Sequence, residues 1–128
     1  MDTNSRLHSI HLTLRLTFGI VPIVAGLDKF TNLLTHWADY LAPFLVRLLP
    51  VSTGAFMQVV GVIEIVAGVL VLTKPRLGAA VVAAWLALIA VTLLASGRYL
   101  DVAVRDLVMA IGALTLCRLT PLARAVAP

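Results

Sequence analysis

Residues 61–73, GVIEIVAGVLVLT, carry one ionisable group, Glu64, in an otherwise hydrocarbon run. A carboxylate placed there can pair with a cation, bind a proton or an ion in transit, or sit neutral because desolvation favours its protonated form. Gly61, Glu64, Ile65 and Gly68 share one helical face, and small residues let a second helix approach closely. The spacing therefore turns Glu64 toward a neighbouring helix rather than toward lipid. Counted from Ser52 at 1.5 Å per residue, it lies ~18 Å along its helix, near the middle of a bilayer.

A complementary stripe precedes it. Arg15, Gly19, Pro22, Gly26 and Lys29 follow one another at helical steps and share a single face. Pro22 also frees the carbonyl of Phe18, which needs another donor inside a membrane. Arg15 and Lys29 are ~21 Å apart along the axis. Depth alone then predicts an inner pair, Arg15 with Glu64, and an outer cluster of Lys29 with Asp101, Arg105 and Asp106. Asp101 and Arg105 are in addition an i, i+4 pair on their own helix. A charge at mid-bilayer costs at least ~2.5 kcal/mol, so partners are expected. The expected buried charge network is Arg15, Lys29, Glu64, Arg105 and Asp106. Fixing helix register and serving a chemical function are both open roles for it.

The other reactive residue types form no recognisable catalytic set. His8 and His11 have an i, i+3 spacing that could hold a metal or haem, but interfacial histidines commonly do neither. Asp106, Ala110, Ala113 and Cys117 share a face, the small residues suiting close helix packing. Cys117 is the single cysteine, which excludes an intrachain disulfide, a CxxC pair, a CxxCH haem attachment and iron–sulfur spacing. No Ser–His–Asp arrangement, phosphate-cradling loop or HExxH motif occurs. The sequence therefore assigns no catalytic residue, no metal site and no cofactor of the chain's own; any redox centre would be borrowed.

The elements that must position these charges are membrane helices. In 128 residues, 61% are hydrophobic and 12% charged, with a mean hydropathy of +1.04. A soluble domain of this size cannot bury so much apolar surface. Four stretches are long enough to span: 10–30, 52–73, 77–96 and 100–119. The last is the most charged, so its first turns belong near the headgroups. Between the first two spans, residues 31–50 show apolar positions at helical spacing, broken at Pro43 and stopped at Pro50. This predicts a Pro-kinked amphipathic helix lying in the interface, with Trp37 and Tyr40 at headgroup depth; two buried helices of the soluble type are the rival. The expectation is a single all-α membrane domain over 1–128, a four-helix transmembrane bundle.

The net charge of +4 is spread over single Lys and Arg residues, so nucleic acid is not an expected partner. With the N-terminus inside, Arg6, Lys74, Arg76, Arg118 and Arg124 collect on the inner side against Asp2 alone, which predicts both termini in the cytoplasm. The N-terminal stretch lacks the small-residue cleavage site of a secretory signal.

The segments LRLTFGIVPIVAGLDKF and GVIEIVAGVLVL, separated by the amphipathic stretch, resemble the DoxX family of small four-helix membrane proteins. The resemblance rests on Arg15, on Gly26 with Lys29, and on Glu64 followed by Gly68; TKPR stands where the family commonly has a glycine after the second span. It implies an integral protein of the bacterial inner membrane associated with redox chemistry. Members are described as subunits of quinol oxidase or thiosulfate:quinone oxidoreductase assemblies, or as partners of oxidative-stress enzymes. In that reading the chain is an accessory or quinone-adjacent subunit, not catalytic by itself, beside another membrane redox protein or further copies of itself. His36, Trp37 and Tyr40 would form the surface for a partner or quinone headgroup. A carrier with a midplane carboxylate and a scaffold without a small-molecule role are the alternatives.

Overall fold

A computed structural model describes residues 2–41 and 43–126. Four long helices account for most of them: α1 (Thr3–Asp28), α3 (Thr53–Thr73), α4 (Pro75–Ser96) and α5 (Leu100–Ala125), with a short α2 (Pro43–Leu48) between the first two. They run alternately up and down. α1 lies against α3, and α4 against α5. Among the described residues there is no strand.

Local chemistry sets the boundaries. Asp2 caps α1 by accepting from the Ser5 N–H at 2.7 Å, a backbone bond that holds its carboxyl below the usual carboxylate range. Ser52 caps α3 in the same way through Ala55 N–H. α4 starts on Pro75, whose missing N–H costs nothing in a first turn, and ends on Gly97 with φ +68°, the left-handed conformation a glycine adopts freely. Both internal prolines, Pro22 and Pro121, are accommodated, so α5 continues to Ala125 rather than stopping at 119.

α1, α3 and α4 are long and apolar enough to cross a membrane. Their outward faces show why no aqueous setting suits them: Ile10, Val21, Val24, Val59, Val66 and Val91 are all about half or more exposed. α5 is as long as α1, but it carries Asp101, Arg105 and Asp106 in its first two turns and is not among these three. Inside, Val71, Ala79, Val82, Ala113 and Leu116 form the core, with Phe18 and Cys117 packed against it.

Glycines fix how α1 meets α3. A Cβ on Gly26 would strike the Gly61 carbonyl, and one on Gly61 the Gly26 carbonyl; a Cβ on Gly68 would likewise strike the Gly19 carbonyl, while one on Gly19 would strike the Leu72 side chain and crowd the Gly68 carbonyl at 3.3 Å. The two backbones therefore touch at two places one heptad apart. This sets an antiparallel register in which Glu64 lies opposite Ile23.

The expected kinked interfacial helix over 31–50 is not what forms. Residues 29–36 are turns and bends, Trp37–Tyr40 is a single 3₁₀ turn, and α2 follows from Pro43. The reason is Asp28. Its carboxylate accepts from the N–H groups of Leu33 and Leu34 at 3.0 Å each, from the Thr31 hydroxyl at 3.0 Å and from the Trp37 indole at 2.8 Å. Those bonds give the backbone an alternative to helix, and Asn32 completes the turn with φ +53°. Pro43 then starts a helix rather than kinking one. Of the expected apolar stripe, Leu41 is buried while Leu33 and Leu34 are 84% and 69% exposed.

Candidate functional site: a buried ion pair under an aromatic cap

The Lys29 ammonium meets the Glu64 carboxylate at 2.7 Å, with the side chains 4% and 10% exposed. The same nitrogen lies 3.8 Å from the centre of the Trp37 ring. Lys29 is thus held between a carboxylate below and an aromatic face above, the two environments that best stabilise a desolvated cation. Asp28 anchors the Trp37 indole from the adjacent position in sequence, so neighbouring residues at the end of α1 fix both the cation and its lid.

The cap extends outward through aromatic contacts. Tyr40 lies 6.2 Å from Trp37 and 4.4 Å from Tyr99, centre to centre. Tyr99 itself is left-handed (φ +53°) immediately before α5, and Arg98 donates to the Asp39 carbonyl at 3.3 Å. The α4–α5 turn is therefore tied to the loop after α1, closing that end of the bundle.

Two further polar groups are buried. Asp106 on α5 is 7% exposed, yet makes no hydrogen bond or ion pair among the described residues. The Trp85 indole, a near neighbour of Glu64, has a buried N–H that finds no acceptor in hydrogen-bonding geometry among the described residues.

The pairing differs from the one expected on depth. Arg15 does not reach Glu64; its guanidinium donates to the Leu72 carbonyl near the end of α3. In the glycine-set register Glu64 is six residues from Lys29 and eight from Arg15, ~9 Å against ~12 Å along the axis. The flexible Lys29 stem bends back into the bundle and closes the shorter gap. Arg105 also lies outside the buried set: it and Asp101 form an exposed pair at 3.8 Å, with side chains 73% and 66% exposed. Asp106 is buried but forms no ion pair with Lys29.

The remaining candidates are placed as follows. His36 is exposed and bonds Asp39 at 3.0 Å, while Trp37 and Tyr40 form the cap. His8 meets the Val126 carbonyl at 2.9 Å and His11 the buried Thr120 hydroxyl at 3.0 Å, so both join α1 to α5. Among the described residues no three of His, Cys, Asp and Glu converge as metal ligands would. Asp28 and Trp85 are the residues sequence reasoning missed. The clue to Asp28 was its place just before Thr31 and Asn32, where a carboxylate organises turns.

Beside the cap lies an open depression of about 290 Å³, lined by Val24, Leu27, Leu33 and Leu34 with Asp28 and Thr31 as its polar groups. No curated protein and no solved structure matches the chain. The family model DoxX matches residues 10–98, most of the chain, and the protein accordingly belongs to the DoxX family of membrane proteins.

Proposed function

We propose that this protein is a four-span accessory subunit of a redox assembly in a bacterial inner membrane, both termini cytoplasmic, with its capped end toward a quinone or a cofactor-bearing partner. Lys29 and Glu64 brace that end, and Trp37 transmits the bracing to the loop over residues 29–41. The observation that carries the reading is the lid itself: a buried cation clamped by Glu64 and Trp37 beneath a partly apolar surface. Such a lid presents Leu33 and Leu34 to a partner, and the adjacent depression has the apolar walls and few polar groups that suit a lipid-soluble ring. In this arrangement α5 is the fourth span, with Arg105 and Asp101 at headgroup level.

A carrier function is less well supported, because its midplane carboxylate would need water. Glu64 is paired and nearly enclosed, and it lines neither this depression nor the groove at the opposite end. Purification in a mild detergent tests the proposal. It expects a cofactor-bearing partner and extractable quinone, both diminished by Trp37→Leu while the helical content holds. A colourless, quinone-free chain recovered without such a partner contradicts it.

A further inference from the structure

At the opposite end of the bundle a groove of about 560 Å³ runs between the start of α4 and the end of α5, lined by Lys74, Arg76, Leu77, Ala80, Cys117 and Arg124. Three cations from three places in the chain converge there: the α3–α4 turn, the first turn of α4 and the last turn of α5. Among the described residues none of the three takes part in an ion pair. The acidic residue at this end, Asp2, is committed to capping α1. Leu77 and Ala80 line the groove from the first turns of α4, a helix apolar enough to cross the membrane, so the groove passes from a charged rim into hydrocarbon. The α4 N-terminus, where Lys74 offers no side-chain acceptor, opens at the same place and adds partial positive charge.

We infer that this groove binds the phosphate headgroup of an anionic phospholipid, held by Lys74, Arg76 and Arg124, with an acyl chain against Leu77 and Ala80. The chemistry follows from the amphipathic shape of the groove. Free phosphate would satisfy the cations and leave the apolar wall unused, whereas a zwitterionic lipid would cover the wall and bring its own positive charge to the rim. Basic pockets between membrane helices select anionic headgroups on these grounds. The inference needs the chain to lie in a membrane and is independent of any redox partner.

The single cysteine makes the test local, because Cys117 lines the groove. The purified chain in neutral detergent would be titrated with phosphatidylglycerol, phosphatidylcholine or inorganic phosphate. Bound lipid would be read by native mass spectrometry and groove occupancy by the rate of Cys117 alkylation. Phosphatidylglycerol is expected to bind preferentially and to slow alkylation. Lys74→Gln with Arg76→Gln should weaken both effects by about fivefold per cation removed. Arg6→Gln with Arg118→Gln removes equal charge from the same end outside the groove and should leave them in place. Equal protection by phosphatidylcholine or by inorganic phosphate would overturn the inference, as would equal losses in the two double variants.

Discussion

Lys29 and Glu64 form a 2.7 Å ion pair across the α1–α3 contact, close to where Gly26 and Gly61 bring the two backbones together. The close approach and the pair depend on each other. Glycines admit the helices to a distance at which a lysine stem can bridge them, and the pair offsets the cost of keeping two charges out of water.

Breaking the pair from either side should be severe. Lys29→Met or Glu64→Leu leaves an uncompensated buried charge, with an expected loss of about 3–5 kcal/mol. The combined variant should recover much of that loss, because neither charge remains. Denaturant titration in micelles, followed by circular dichroism, provides the comparison.

The glycine contacts should tolerate no side chain. Gly26→Ala and Gly61→Ala each drive a methyl into a carbonyl of the facing helix, for an expected loss of about 1–3 kcal/mol. Gly54→Ala meets nothing within 4 Å and sits in the first turn of α3, so it should be neutral or stabilising by about 0.5–1 kcal/mol. Equal effects at the three positions would argue against the register described.

The cap should loosen when Asp28 loses its acceptor oxygens. Asp28→Ala removes the partners of Leu33, Leu34, Thr31 and Trp37 together. Amide hydrogen exchange over residues 29–41 should accelerate sharply while exchange in α3 and α4 stays slow. Trp37→Phe keeps an aromatic face over Lys29 and should be milder than Trp37→Leu, which forfeits a contact of about 2 kcal/mol.

The exposed Asp101–Arg105 pair should be nearly silent. Arg105→Ala is expected to cost about 0.3–0.5 kcal/mol, the worth of an i, i+4 pair in water, and less at high salt.

Much of the bundle was legible in the residues themselves. Long apolar runs marked α1, α3 and α4, and the faces shared by Gly19 and Gly26 and by Gly61, Glu64 and Gly68 showed which sides would meet. What depth counting missed was register. It started each helix at an apolar boundary, whereas α1 begins at Thr3 and the glycine contacts decide which residues face each other. Gly19 with Gly26 and Gly61 with Gly68 have the same seven-residue spacing, and matching them antiparallel places Glu64 nearer Lys29 than Arg15. The loop over 31–41 failed for a different reason. Its apolar positions suit a helix, but one side chain outside the segment, Asp28, captures its backbone donors, and periodicity carries no trace of that. The neighbourhood of Asp106 and Trp85 depends on how α4 and α5 pack against the first pair, which no local pattern specifies.

The most direct measurement is a pair of double-mutant cycles in micelles, one on Lys29 and Glu64 and one on Arg15 and Glu64. The ion pair described here predicts a coupling of about 2 kcal/mol or more for the first and close to zero for the second. A larger coupling between Arg15 and Glu64, or none between Lys29 and Glu64, would contradict it.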